Sequence, residues 1–315
     1  VMTETVAVVG AGLIGRAWAI VFARGGVAVR LHDTDAKALD AAGARIDAAL
    51  DDLHRFGLLD DPAAVRARIA TEPRLAAAVE GAAYVQECGP EQVELKRALF
   101  TALEAVASPE AVLASSSSGI VASAFTGGLR HPERCLVAHP VNPPYLVPLV
   151  ELSPAPATAA WAVDAAHALM ERVGQAPVRL RREVAGFALN RLQGALLNEA
   201  LRLFEDGVIS AEDLDRTVKH GLGLRWSFMG PFETIDLNAP AGLADYARRY
   251  GGLYESLGRE QADPRPWSEG TIDALDRARR ERLGHDALGE RQAWRDRRLM
   301  ALAAHKRAAA RDIGD

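Results

Sequence analysis

The sequence is poor in cysteine, and its two cysteines have no spacing that would build a disulfide framework or a metal site. Cys88 and Cys135 are the only thiols among 315 residues, and each lies in apolar surroundings. Isolated cysteines of this kind are typical of buried thiols in a reducing compartment. The sequence therefore predicts no disulfide and no bound metal.

A long apolar run is also missing. The first apolar stretch, VAVVGAGLIGRAWAIVFA (6–23), is interrupted by Arg16 and by three glycines, whereas a bilayer-spanning helix needs about 20 predominantly apolar residues. No cleavable signal pattern precedes this stretch. We therefore expect a cytoplasmic protein that does not bind a membrane.

Positive charge is not in excess either. The chain has 37 Lys and Arg against 42 Asp and Glu, a net charge of −5. Nucleic-acid-binding surfaces need clustered Lys and Arg, so the expected partner is a small-molecule substrate and not a nucleic acid. A composition of 49% hydrophobic and 25% charged residues is typical of a globular protein, and the length predicts two domains.

The first two-thirds of the sequence alternates strand and helix patterns. TVAVVG (5–10), LIGRAWAIVFARGG (13–26) and VAVRLHD (27–33) predict a strand, a helix and a second strand. A long amphipathic helix is predicted from Asp35 to Phe56. Further strands at 84–89, 112–118 and 135–140 alternate with helical segments such as 92–106. This alternation predicts a mostly parallel sheet with helices on both faces.

The pattern changes near residue 180. The segment 176–186 is the last predicted strand, and the later predicted elements are helices at 187–205, 210–220, 231–237, 240–250 and 288–309. We therefore predict an α/β Rossmann-like domain at residues 3–184 and an all-α domain at 185–315. The helix 187–205 is apolar on most sides, so we expect it to be buried between domains or between subunits.

The turn after the first strand carries a dinucleotide-binding pattern. GAGLIG places Gly10, Gly12 and Gly15 at the G-x-G-x-x-G spacing, where they allow a tight turn, close approach of a pyrophosphate and close helix packing. Asp33 ends the next strand, where a carboxylate accepts hydrogen bonds from a ribose 2′-OH and repels a 2′-phosphate. Asp33 is also suited to cap the following helix. The combination predicts NAD as the cofactor, in preference to NADP.

The segment AHPVNPPYLVPLVEL (138–152) has His139 near one end and Glu151 near the other. A histidine can exchange a proton with a substrate hydroxyl near neutral pH, and a carboxylate on its other ring nitrogen fixes its tautomer. Glu151 follows a short apolar run that could return beside the strand 135–138. A proline-rich loop with an incidental histidine and a helix-capping glutamate explains this stretch equally well, so both interpretations stay open on these residues alone.

Four motifs in the same order resemble the L-3-hydroxyacyl-CoA dehydrogenase family: SSSSGI, AHPVNPP, PLVEL and VAGFALNR. The similarity covers nearly the whole chain and is strongest to the lambda-crystallin/L-gulonate 3-dehydrogenase branch. The resemblance implies a Rossmann-like domain, a helical domain that forms a homodimer, and a catalytic pair at His139 and Glu151. It implies the following further site residues: Ser118, Asn142 and Asn190 at the substrate, and Leu13, Ile14, Asp33, Glu91 and Lys96 at the cofactor.

Two of these positions have simpler explanations. Ser118 lies in a run of four serines that would also make an ordinary polar loop, and Asn190 lies at an apolar helix start, where an amide needs a hydrogen-bond partner for structural reasons. Arg225, within GLGLRWSFMGPFE, departs from the acyl-CoA enzymes and is suited to bind a substrate carboxylate. A surface ion pair is the alternative role for Arg225.

The sequence thus predicts an NAD-dependent dehydrogenase of a small 3-hydroxy acid, with L-gulonate as the named candidate. A CoA thioester is not favoured, because the excursion 36–68 carries five cations against six aspartates and makes a poor site for a polyphosphate. The alternatives are a hydroxyacyl-CoA dehydrogenase or diketone reductase with the same mechanism, and a crystallin-like structural protein.

Overall fold

A computed structural model describes residues 5–314 and contains one eight-stranded sheet in the order β3-β2-β1-β4-β5-β6-β7-β8. The strands are β1 Thr5–Val9, β2 Ala28–His32, β3 Ile69–Thr71, β4 Tyr84–Glu87, β5 Val112–Ser115, β6 Cys135–Pro140, β7 Leu149–Pro154 and β8 Ala176–Arg179. Every neighbouring pair is parallel except β6 with β7. The predicted mostly parallel, Rossmann-like architecture is confirmed.

Seven helices accompany this sheet along the chain, and they pack apolar side chains onto both of its faces. They are α1 Leu13–Arg24, α2 Ala36–Arg55, α3 Pro62–Arg66, α4 Leu75–Val79, α5 Val93–Val106, α6 Ser123–Thr126 and α7 Ala160–Arg172. In α2 the buried residues recur every three or four positions, as the sequence predicted: Leu39, Ala42, Ile46, Leu50 and Leu53. A 20-residue helix with that single apolar face docks on the core and leaves its charged face to solvent.

Strand β7 decides where the candidate site forms. It returns antiparallel to β6, and the register sets His139 opposite Glu151 and Pro140 opposite Val150. Side chains directly opposite each other in an antiparallel pair lie on the same face of the sheet, about 5 Å apart at Cβ. The apolar run before Glu151 therefore does return beside the strand that carries His139.

The chain after residue 188 is helical: α8 Leu189–Glu205, α9 Ala211–Thr217, α10 Gly223–Trp226, α11 Pro231–Asp236, α12 Gly242–Glu260, α13 Glu269–Arg280 and α14 Leu288–Ile313. The described chain divides into two compact units, one comprising residues 5–191 with 293–312, and the other comprising 192–292 with 313 and 314. Most of α14 thus belongs with the sheet, where Met300 is buried in the core. The domain division at 184/185 stays a prediction.

The helix predicted at 187–205 begins at Leu189 as α8 and is not buried within the single chain, and its burial between subunits stays a prediction. No residue of α8 is buried, and the side chain of Leu192 is 67% exposed. Large apolar side chains are also exposed elsewhere in residues 192–292, among them Trp226, Phe228, Phe232, Leu253 and Trp267. The apolar pattern of α8 therefore does not serve the core of its own chain.

Two features are absent from residues 5–314. No helix there is both long and apolar enough to cross a membrane. No group of three or more His, Cys, Asp or Glu side chains is arranged to hold a metal ion.

Candidate active site

The glycine-rich turn between β1 and α1 has the shape that a dinucleotide requires. Gly10 has φ +113°, and a Cβ there would lie 2.7 Å from the carbonyl oxygen of Cys88, so only glycine fits. A Cβ on Gly15 would lie 1.7 Å from the carbonyl oxygen of Gly10. No atom lies within 4 Å of a Cβ built on Gly12. The turn is packed closed at Gly10 and Gly15 and open at Gly12, where a pyrophosphate can approach the backbone at the start of α1.

The carboxylate of Asp33 stabilises this turn through backbone hydrogen bonds. Its Oδ2 accepts a hydrogen bond from the backbone N–H of Ala11 at 2.7 Å, and its Oδ1 accepts one from the N–H of Asp35 at 2.9 Å. The cap of α2 is Asp35, which accepts from the N–H of Lys37, so Asp33 is not the helix cap. Asp33 is therefore held rigidly at the end of β2, with lone pairs left for a ribose.

A cavity of about 660 Å³ opens beside Asp33. Its lining includes Gly12, Asp33, Thr34, Leu75 and Leu99, and no Lys or Arg of the described chain belongs to it. Apolar walls suit an adenine ring, and the carboxylate without a nearby cation in the lining disfavours a 2′-phosphate. The residues present therefore fit NAD. Leu13 and Ile14 begin α1 beside the turn, and Leu13 is 59% exposed.

His139 and Glu151 form a buried hydrogen-bonded pair. The Nδ1 atom of His139 lies 2.9 Å from Oε2 of Glu151, with the residues 6% and 1% exposed. Since an ionised carboxylate only accepts hydrogen bonds, this contact places the ring proton on Nδ1 and leaves the lone pair on Nε2. Nε2 makes no hydrogen bond to any residue of 5–314. The pair therefore presents a basic nitrogen of defined tautomer.

The other oxygen of Glu151 is fixed by the start of α8. Oε1 accepts hydrogen bonds from the backbone N–H groups of Ala188 at 2.8 Å and Leu189 at 2.9 Å. Burial raises the pKa of Glu151, but the hydrogen bonds from His139, Leu189 and Ala188 outweigh burial, so the net pKa lies below its usual value. The carboxylate therefore stays ionised and oriented toward the imidazole.

Phe187 positions both the N–H groups that bind Glu151 and the imidazole of His139. It is the one non-glycine residue of 5–314 with positive φ, at 52°, and its side chain is fully buried. Its ring centre lies 5.2 Å from that of His139. The left-handed conformation turns the chain so that the next two N–H groups point at Glu151, and the ring packs beside the imidazole.

Glu91 organises the loop that carries Ser118. Its Oε1 accepts from the Oγ of Ser117 at 2.7 Å and from the N–H groups of Ser118 and Gly119, each at 2.9 Å. The side-chain amide of Asn190 donates to the carbonyl oxygen of Ser118 at 2.5 Å. The structure thus brings together three residues that the sequence predicted separately, and the serine loop is an ordered turn with specific contacts.

Lys96 is buried next to this loop. Its Nζ lies 2.9 Å from Oε2 of Glu87 and 3.6 Å from Oε2 of Glu91, and Lys96 and Glu87 are 2% and 0% exposed. Ser115 donates to the same oxygen of Glu87 at 2.5 Å. Glu87 and Ser115 escaped prediction. The signal available was the pair of polar residues inside the buried strand YVQECG.

Asn142 and Arg225 are the remaining predicted substrate residues. Asn142 follows β6 and lines a small pocket with Arg16 and Tyr145. Arg225 lies in α10, in the second compact unit. The two cysteines are unreactive by environment, since burial raises the pKa of Cys135 to about 12 and that of Cys88 further.

The sequence is similar to those of several known proteins. Residues 5–184 match the NAD binding domain of 3-hydroxyacyl-CoA dehydrogenase, and residues 186–285 match its C-terminal domain. The lambda-crystallin homolog of Bos taurus is 46% identical over 306 residues, covering 96% of this chain and 95% of that protein. The L-carnitine dehydrogenase of Burkholderia mallei is 35% identical, covering 96% and 93%.

A solved structure has the same fold over nearly its full length. It is the NAD⁺-dependent 5-formyl-3-hydroxy-2-methylpyridine 4-carboxylic acid 5-dehydrogenase, with a TM-score of 0.82 at 26% identity, and 98% of each chain is covered. The expectation of a nicotinamide cofactor is confirmed by the matched NAD binding domain.

Proposed function

Because the chain belongs to the 3-hydroxyacyl-CoA dehydrogenase family and is an NAD-dependent dehydrogenase, we propose that it oxidises the 3-hydroxy group of a small hydroxy acid, with L-gulonate as the named candidate. We propose His139 as the general acid/base and Glu151 as the group that orients it. The observation that carries this proposal is the buried 2.9 Å contact between Nδ1 and Oε2, which leaves Nε2 as the only ring nitrogen able to accept a proton.

The proposed mechanism assigns one task to each group. The turn at Gly12 and the carboxylate of Asp33 would hold NAD, which would supply the acceptor for the hydride on the hydroxyl-bearing carbon. His139 takes the hydroxyl proton on Nε2, and Glu151 stabilises the resulting imidazolium through Nδ1–H. In the reverse direction the same imidazolium donates the proton to a keto oxygen. The ring of Phe187 packs beside His139, and two backbone N–H groups bind Glu151. Because both side chains are held in place, they need to move little during proton transfer.

We assign the remaining predicted residues to the substrate or to the cofactor. We propose that Ser118, Asn142 and Asn190 bind the substrate or position it, with Arg225 as a further candidate for its carboxylate. We propose that Leu13, Ile14, Asp33, Glu91 and Lys96 serve the cofactor. The buried Lys96 would act through Glu91, which shapes the loop at Ser118, because its Nζ is already engaged by Glu87.

Charge on the excursion after β2 supports a small acid over a CoA thioester. Of its five cations, Arg55 is paired with Asp52 at 2.8 Å and Arg66 with Asp47 at 2.9 Å. A CoA nucleotide carries several phosphate charges, which need unpaired cations. A hydroxyacyl-CoA substrate or a diketone remains the alternative. The names of two relatives, which specify L-carnitine and a pyridine carboxylic acid, support a small acid.

We further propose a homodimer through the helical region. Residues 192–292 expose many large apolar side chains, among them Leu192 of α8, Trp226 and Phe232. Large exposed apolar patches are uncommon on a monomer. Burial against a second copy would explain why α8 is apolar without being buried in its own chain.

The deciding experiment compares kcat/KM for acetoacetyl-CoA with values for small 3-hydroxy and 3-keto acids, including L-gulonate, by NADH absorbance. A clear preference for the small acids supports the proposal, and a clear preference for the thioester restores the acyl-CoA alternative. NADH fluorescence titration runs in parallel, since binding without turnover of any substrate would identify a crystallin-like binding protein.

A further inference from the structure

The small pocket that Asn142 lines with Arg16 and Tyr145 is a candidate binding site of its own. It has a volume of about 150 Å³ and is lined by the outer side of α1 (Leu13 and Arg16), by α2 (Arg45), by the loop after β6 and by α14 (Arg295). All these residues belong to the same compact unit. The pocket thus adjoins a predicted cofactor residue, Leu13, and a predicted substrate residue, Asn142, three positions after His139.

The pocket contains more positive than negative charge. Three arginines line it with one acid, Asp296, and that acid is engaged by the guanidinium of Arg295 at 2.7 Å. Arg16 donates to the carbonyl oxygen of Ala11 at 2.8 Å, and it has no ion pair within residues 5–314. Arg45, on the exposed side of α2, has none within the same range. Two of the three arginines in the lining therefore have no carboxylate partner within residues 5–314.

The positive charges of Arg16 and Arg45 in one small pocket favour the binding of an anion. Burial and the charge of Arg45 both lower the pKa of Arg16. Burial, followed by the nearby Asp296, raises the pKa of Tyr145 to about 12, so its phenol stays a neutral hydrogen-bond donor. Two cations, a phenol and the amide of Asn142 form a donor set that matches a carboxylate.

The size of the pocket limits the anion. At roughly 30 Å³ for each water-sized group, a volume of about 150 Å³ accepts about five non-hydrogen atoms. That is a carboxylate with two or three carbons, which is far smaller than a CoA nucleotide. Arg295 and Asp296 also fall outside the residues that match the two family domains, 5–184 and 186–285. The C-terminal helix therefore closes this pocket with residues beyond the matched family domains.

We propose that Arg16 and Arg45 bind the carboxylate of the substrate in this pocket, and that they select a free small acid over a neutral analogue. The proposal rests on the proposed function, since it assigns the carboxylate of the same substrate. Arg225 is the alternative residue for binding that carboxylate.

The test uses (S)-3-hydroxybutyrate and its neutral isostere (S)-3-hydroxybutyramide as probes of the full-length enzyme. Arg45 is exposed, so Arg45→Met removes the charge without disturbing the core, and Arg16→Lys keeps a charge while losing the planar fork. Arg55→Met is the matched control, because it removes one arginine from the same helix outside the pocket. We expect Arg45→Met to raise KM for the acid about 10-fold or more. For the amide, we expect both kcat and KM to change by less than about 3-fold.

Binding without turnover separates this proposal from the proposed function. Calorimetric titration of the acid into the NADH complex should show affinity in the wild type and in Arg55→Met, and a matching loss in Arg45→Met and Arg16→Lys. Binding that depends on Arg45 supports the pocket even if no substrate turns over. Weaker NADH binding with unchanged affinity for the acid would instead assign the arginines to the cofactor and overturn the proposal. A selective rise of KM for the acid in Arg225→Met, with no change in Arg45→Met, would overturn it as well.

Discussion

Replacing Glu151 by glutamine tests the proposed pair most directly, because glutamine has the same shape and the surroundings dictate how it sits. The two backbone N–H groups of Ala188 and Leu189 need an acceptor, so the amide oxygen must occupy the position of Oε1. The amide NH₂ then faces Nδ1 of His139. An NH₂ group only donates, so Nδ1 must become the acceptor and the ring proton must move to Nε2. The variant therefore folds with the wrong tautomer for a base.

The cost of restoring the active tautomer sets the expected loss. Turning the amide round would leave two backbone N–H groups without an acceptor, and each such group costs about 1–3 kcal/mol. The total of about 2–6 kcal/mol corresponds to a fall in kcat between about 30-fold and about 10⁴-fold. Affinity for NADH should be unchanged, because Glu151 does not touch the glycine turn.

The assay follows NADH absorbance at saturating cofactor, with thermal unfolding and NADH fluorescence as checks on fold and cofactor binding. Glu183→Gln serves as the matched control. Glu183 lies between β8 and α8 and accepts a hydrogen bond from the N–H of Ser123 at 3.1 Å, with no contact to the imidazole. A kcat for Glu151→Gln within about 3-fold of the wild type would show that the pair is structural and would refute the reasoning.

Further predictions concern other parts of the chain. His139→Ala should lower kcat by about 10²–10⁴-fold with cofactor affinity little changed, and near wild-type turnover would remove His139 from the mechanism. Asp33→Ala should weaken NAD binding and narrow the ratio of kcat/KM between NAD and NADP; an unchanged ratio would exclude Asp33 as the determinant. Lys96→Met leaves Glu87 buried without its cation, so denaturant unfolding should show a loss of about 3–5 kcal/mol. Light scattering at micromolar concentration should report a homodimer, and a stable monomer would contradict the role proposed for α8.

Local patterns were enough to predict much of the sheet-bearing unit. The glycine spacing identified Gly10 and Gly15, and the repeat of apolar residues in α2 predicted its five buried positions. Both depend on residues close together in sequence, where helix and turn geometry act directly.

Features that join distant residues escaped prediction. The N–H groups that hold Glu151 come from 37 and 38 positions further along the chain, and no local pattern encodes the left-handed conformation of Phe187. The helix α13 was missed because its sequence, EGTIDALDRARR, has few apolar residues to show a periodicity. The sequence left open what buries α8, because a periodic apolar face has the same appearance whether its partner is the same chain or another one.

The ladder between β6 and β7 has a consequence for how such proteins can vary. His139 meets Glu151 because the two residues are paired across neighbouring strands, and the eight residues 141–148 connect those strands without setting the register of the pair. The prolines in that loop are therefore not needed to set the distance between the two side chains. Insertions or deletions in 141–148 leave the pair intact, whereas a single residue added within β7 shifts its register and turns Glu151 to the opposite face. Homologous chains are free to differ in the spacing between histidine and glutamate, and a search for this site is better anchored on the strand pair than on a fixed interval.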